Sequence, residues 1–166
     1  MVSKESTPFH FWSVPTREYP QAGVITALYK DDDGHIVSGV EGEGVFKITS
    51  EGNITDHLFS GKTVSSIYKD YSGNLWFGGY YSGLYMQDAK GNVRFMLPEI
   101  KLKDIKKITG DDKGNLYLSL FGSGFIRYHL PTQTVTEYQS SSGGLRNNWI
   151  YTLLLDSRER LWIGHC

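Results

Sequence analysis

Four segments of this chain repeat one pattern, and that repeat limits the fold more than any other feature of the sequence. They are VITALYKDDDGHIVSGVEGEGVF from Val24, VSSIYKDYSGNLWFGGYYSGLY from Val64, IKKITGDDKGNLYLSLFGSGFI from Ile105 and IYTLLLDSRERLWIGHC from Ile150. Measured at the fourth position of a D-x-x-G turn, the step from Gly34 to Gly73 is 39 residues, from Gly73 to Gly114 is 41, and from Gly114 to Glu159, which replaces the glycine, is 45. A period of about 40 to 50 residues is that of a propeller blade, a small sheet that buries its two faces only by stacking on its neighbours.

Each unit reads as four strands separated by tight turns. In the second unit, branched and aromatic residues run to Lys69, and Asp70 to Gly73 makes a turn in which the carboxylate accepts backbone hydrogen bonds and the glycine takes a positive φ. Asn74 to Gly78 follows with Leu75 and Phe77 on one side and Trp76 on the other, the pattern of a strand covered on both faces. Gly83 turns the chain into Leu84 to Met86, and Gly91 and Asn92 turn it into Val93 to Leu97. Equivalent fourth strands are expected over 54–59 and 135–138. Trp76, Tyr117 and Trp162 share one position of the second strand, with Val37 in the first unit, and are expected to be core between blades. The units are thus blades over 24–59, 64–97 and 105–138, with a partial fourth at 149–166. Glycine interrupts every long stretch and no sustained i, i+3, i+4, i+7 stripe occurs, so no long helix is expected. The chain is read as all-β.

The ends do not match a closed ring. Residues 9–14 (FHFWSV) read as an orphan fourth strand, and the last unit stops in its second strand, giving about three and three-quarter blades. The expectation is a partial propeller: a piece of a longer one, or a chain whose open edges pair with missing blades or with a second copy, as a homodimer.

The combined signature of turn, aromatic and glycines at Asp70 to Leu84, Asp111 to Ser119 and Gly144 to Gly164 closely resembles the two-component-regulator propeller repeat, over about 24–166. That family forms the sensor regions of hybrid histidine kinases, especially in Bacteroides-type bacteria. The resemblance implies a periplasmic or extracellular sensor propeller in a two-component signalling receptor, of a family many of whose members respond to polysaccharide breakdown products, with any kinase elsewhere in the full-length protein. It assigns structural roles to the turn aspartates Asp31, Asp70, Asp111 and Asp156, to the strand aromatics, and to the closing glycines Gly44, Gly83 and Gly124.

In such a blade the turn between the second and third strands lies at the same end as the loop leading into the next blade. Candidate ligand contacts are therefore Glu41 and Glu43, then Tyr80, Tyr81 and Ser82, then Phe121 and Ser123, and in the longest loop Arg146, Asn147 and Asn148. Aromatic faces suit sugar C–H groups or other flat ligands, and the polar groups fix orientation; an oligosaccharide is the ligand that the resemblance suggests.

Catalysis is not expected in this region, and no catalytic residue is assigned. The five histidines lack ligand spacing, the Asp31 to Asp33 run does not complete a calcium-loop pattern, and neither metal nor other cofactor is expected. The alternatives are a propeller lyase or hydrolase acting on glycans, or a structural platform for protein partners. A formal charge of −1 gives no positive field for nucleic acid or an anionic membrane. The chain has no run of eighteen apolar residues and no signal-peptide pattern at its start, so any targeting segment would lie outside it. The single cysteine, Cys166, allows no intrachain disulfide.

Overall fold

A computed structural model of the protein describes residues 23–100 and 103–165; the expected strand at 9–14 and Cys166 lie outside them. Three consecutive four-stranded antiparallel sheets and a final two-stranded one make up the chain, each in simple meander order. Blade 1 contains β1 (Ile25–Lys30), β2 (Ile36–Val40), β3 (Gly44–Ile48) and β4 (Ile54–Leu58). Blade 2 contains β5 (Thr63–Lys69), β6 (Leu75–Tyr80), β7 (Gly83–Gln87) and β8 (Val93–Met96). Blade 3 contains β9 (Ile105–Gly110), β10 (Asn115–Leu120), β11 (Gly124–His129) and β12 (Thr134–Tyr138), and blade 4 pairs β13 (Ile150–Leu155) with β14 (Leu161–His165). No helix among the described residues is long and apolar enough to cross a membrane.

The core lies between blades. Val37 and Val45 of blade 1 meet Val64, Ile67 and Phe77 of blade 2. On the opposite face of β6, Trp76 packs with Leu84 against Ile105, Ile108 and Leu116 of blade 3. Phe125 meets Ile150 and Leu153 of blade 4, with Tyr117 at the margin. Side chains alternate across each strand, so one residue of the Leu75-Trp76-Phe77 run faces forward and the next faces back. In blades 1 and 2 a glycine stands two places after Val37 and Trp76 because the next blade crosses there: a Cβ on Gly78 would lie 2.6 Å from Ile105 Cγ2, and one on Gly39 would lie 2.4 Å from the Val64 carbonyl oxygen. Hydroxyls complete the junctions. Thr26 donates to the Val64 carbonyl, Ser65 to the Ile105 carbonyl, and the buried Ser66 hydroxyl accepts the Ile108 N–H at 2.9 Å.

The D-x-x-G turns close each first hairpin. Asp70 Oδ1 accepts the N–H groups of Ser72 and Asn74, both at 2.9 Å, and Oδ2 accepts Asn74 Nδ2 at 3.0 Å and Trp76 Nε1 at 2.7 Å. Asp111 and Asp156 repeat the scheme, with Tyr117 and Trp162 in the aromatic role. Glu159 adopts φ 59°, the left-handed conformation that Gly34, Gly73 and Gly114 adopt in their units. Trp162 departs from the expectation of core: it is 55% exposed, beside its cross-strand partner Leu154 at 62%, because no described sheet follows β14.

Candidate functional site

The turn joining β10 and β11 is fastened both to the entry of its own blade and to the entry of the next. Phe121 N–H donates to the Asp104 carbonyl at 2.9 Å, and Gly124 N–H donates to the Asn148 carbonyl at 3.1 Å. These bonds set the β10–β11 turn and the loops before β9 and β13 side by side, at the end opposite the D-x-x-G turns, and the β6–β7 turn lines the same space through Tyr80 and Tyr81. They frame a basin of about 440 Å³, within the range of small-ligand sites.

Its aromatic wall comes from three blades. Tyr80 and Tyr81 stand edge to face with centroids 4.3 Å apart, and Phe121 meets Trp149 in the same manner at 4.8 Å. Tyr80, Tyr81 and Trp149 are all more than half exposed, so their rings present area to solvent. Between the two pairs lies Lys106, its ammonium 5.7 Å from the centroid of Tyr80 and 5.2 Å from that of Phe121, a cation on two ring faces. Lys106 Nζ also lies 2.9 Å from Asp104 Oδ2, and Lys103 Nζ donates to Ser123 Oγ at 2.9 Å. Asp104 is 6% exposed, and its other oxygen, Oδ1, has no hydrogen-bond partner. A buried carboxylate oxygen without a donor is costly, by about 1–3 kcal/mol or more, and a donor brought by a ligand relieves that cost. Repulsion from the Tyr81 phenol, followed by burial, pushes the Tyr80 hydroxyl above its ordinary pKa.

Tyr81 itself is strained. At the corresponding turn position blade 1 has Gly42 at φ 69° and blade 3 has Gly122 at φ 77°, whereas in blade 2 Tyr81 adopts φ 46°. Left-handed backbone costs an L-residue with a side chain about 1–2 kcal/mol. Blade 2 thus carries a bulky ring where its neighbours use the residue that relieves the strain, and the ring faces the basin.

The basin unites Tyr80, Tyr81, Phe121 and Ser123 from the sequence-derived candidates. Ser82 lies beneath the same turn, its hydroxyl donating to the Tyr80 carbonyl at 2.9 Å. Asn147 and Asn148 organise their own loop: Asn147 Oδ1 accepts the Trp149 N–H at 2.9 Å, and Asn148 Oδ1 accepts the Ser140 N–H at 2.7 Å. Arg146 is exposed on that loop, while Glu41 and Glu43 sit on the blade 1 turn, apart from the basin lining. Sequence reasoning missed Lys103, Asp104, Lys106 and Trp149. The available signal was position, since all four flank the strand entries already placed at this end.

Two other places are less suited to a ligand. The gap between blades 1 and 2 beside Asp31 and Lys47 encloses only about 50 Å³. Asp31, Asp33 and His35 bring ligand-type atoms within 4.8 Å of one another, a proximity not apparent from their spacing. Asp31 is already engaged, by Lys47 at 2.8 Å and by the His35 N–H at 2.8 Å. Burial pushes its carboxyl up, but these partners outweigh burial and hold it below the usual value.

Comparison with known proteins places this geometry. The chain is 28% identical over 164 residues to histidine kinase P4 of Formosa agariphila, spanning 85% of this chain and 12% of that protein. Its fold is similar to the extracellular domain of BT3049, a B. thetaiotaomicron protein assigned as a hybrid two-component system, at a TM-score of 0.77 and 24% identity, covering 94% of this chain and 22% of that one. The extracellular domain of BT4673 from the same bacterium matches at 0.71 and 21%, over 92% and 22% of the respective chains. Virginiamycin B lyase from Staphylococcus aureus shares the fold at 0.68 and 19%, over 86% of this chain and 49% of the lyase. The chain therefore spans less than a quarter of the length of the two-component relatives that it matches. The family model for the two component regulator propeller matches residues 58–81 and 144–166, the stretches that carry the Asp70 and Asp156 turns together with Tyr80, Tyr81 and Trp149 of the basin. Two stretches of this chain, 58–81 and 144–166, are thus similar to the two component regulator propeller repeat.

Proposed function

We propose that the chain is a non-catalytic sensor segment of an extracytoplasmic two-component receptor and that it binds a small saccharide in the basin between blades 2, 3 and 4. The observation that carries this reading is Tyr81, an aromatic side chain held in left-handed backbone where blades 1 and 3 place glycine. Strain of this kind persists where the ring has a task, and exposed aromatic faces beside hydrogen-bonding groups suit the C–H and O–H surfaces of a sugar. The lining supports binding rather than acid–base chemistry: its one carboxylate is paired with Lys106, and no histidine lines it. Similarity to extracellular two-component domains supports the location and the signalling role. The exposed Leu154 and Trp162 on the far face of blade 4 are the surface on which a further blade or a second copy would stack.

The test is calorimetric titration of the chain with a panel of oligosaccharides, using Tyr81→Gly as the decisive variant. A binding role predicts that affinity falls by about tenfold or more while the fold is kept or strengthened. Unchanged affinity would remove the basin from consideration. Turnover of a panel member by the wild-type chain would favour the lyase or hydrolase reading instead.

A further inference from the structure

Resting on the basin reading, we infer that the ligand is an acidic saccharide, whose carboxylate or sulfate lies on Lys103 and Lys106 while a neighbouring hydroxyl donates to Asp104 Oδ1. The chain carries a formal charge of −1, yet this basin gathers two lysines against one carboxylate. Each ammonium has three N–H donors. Lys106 directs one to Asp104 and Lys103 one to Ser123, which leaves both with donors free for an acceptor in the basin. Lys106 is held in place by its ion pair and by the two ring faces, so it loses little side-chain freedom when an anion arrives.

Asp104 narrows the ligand class further. A simple anion placed against both lysines would leave Oδ1 without a donor. A sugar acid satisfies the lysines and Oδ1 together, because it carries an anionic group and, one or two carbons away, hydroxyls that donate. Its ring face lies against Tyr81 or Trp149, which are 59% and 51% exposed. Charge-assisted hydrogen bonds of this type are about twice as strong as neutral ones and give most of the discrimination between an acid and its neutral counterpart.

The experiment titrates the 166-residue chain with oligogalacturonate, alginate and glucuronate-containing oligosaccharides, each beside its carboxyl-reduced neutral form, and with sulfated galactan oligosaccharides beside their desulfated forms. The expected result is that at least one acidic member binds about tenfold more tightly than its neutral counterpart, with affinity falling as salt rises. The carboxylate and sulfate arms show which anionic group the lysines take. Lys103→Gln, on an exposed side chain, is expected to weaken the acidic ligand and leave the neutral one unchanged; Asp104→Asn is expected to weaken both. Equal binding of acidic and neutral forms, with both lost in Tyr81→Gly, would overturn the acidic ligand and leave the saccharide site standing. Absence of binding by every member would overturn both.

Discussion

Blades 2 and 4 carry the same turn and the same tryptophan in different surroundings. Trp76 donates to Asp70 at 2.7 Å and is 2% exposed; Trp162 donates to Asp156 at 2.8 Å and is 55% exposed. The hydrogen bond forms either way, because donor and acceptor are six residues apart on one hairpin and the turn brings them together without help from another blade. What differs is the other face of the indole. Trp76 packs against Ile105, Ile108 and Leu116 and meets Tyr128 edge-on, whereas Trp162 has Arg160 above its ring at 5.3 Å. The turn is thus a local device that orients the tryptophan, and stacking of the next blade makes it a core residue.

The most severe test of this difference is truncation of each ring. Trp76→Ala is expected to cost about 3–5 kcal/mol, the usual loss for a buried aromatic, and Trp162→Ala less than about 1 kcal/mol, as for an exposed side chain. Urea denaturation of the two variants measures both, and equal losses would mean that the forward face of blade 4 is covered in solution. The next largest effect is at the aspartates. Asp70 is buried and accepts four hydrogen bonds, so Asp70→Ala leaves several donors without partners and is expected to cost about 1–3 kcal/mol, more than the same change at Asp156, where water replaces the lost partner.

The opposite end of blade 2 sharpens the comparison with blades 1 and 3. Tyr81→Gly is expected to raise stability by about 1 kcal/mol by relieving left-handed strain, and Gly122→Ala to lower it, since the new Cβ would lie 3.3 Å from the Trp149 ring at a positive φ. Thermal melts report both, and a destabilising Tyr81→Gly would show that the ring contributes packing rather than a ligand surface.

Acid dependence is the mildest test. The Trp162 N–H, then the Arg160 backbone N–H, hold the Asp156 carboxyl down at about 2, below its ordinary 3.8. A depressed carboxyl stabilises the fold fully above its unfolded value and loses that contribution as pH falls through the folded one, here between about 3.8 and about 2. An NMR titration of Asp156 should shift its midpoint upward in Trp162→Phe, and an unchanged midpoint would refute the role of the indole.

Several particulars show how far the sequence could be read. The D-x-x-G hairpins and the aromatic six positions after Asp70, Asp111 and Asp156 were legible because every partner lies within one turn. A fifth copy of the turn, at Asp88 to Asn92 between β7 and β8, escaped as more than a glycine bend. Asp88 Oδ1 accepts the Lys90 and Asn92 N–H groups at 2.9 Å, as its counterparts do, but no strand aromatic follows to mark it. Of the basin, the turn aromatics were legible because the blade pattern places them at one end. Lys103, Asp104, Lys106 and Trp149 were not, since nothing local marks them as facing the turns, which they meet only when blades stack.

The sequence by itself determined the blade: its period, its hairpins, and the hydrogen bond that aims each aromatic, all interactions closed within a few residues along the chain. Tertiary structure alone decided which tryptophan is core and which lies open, and that two lysines, a buried carboxylate and rings from three blades share one basin. Those outcomes depend on contacts between residues some 20 to 70 positions apart, and the packing of sheet on sheet, rather than the local pattern, brings such residues together.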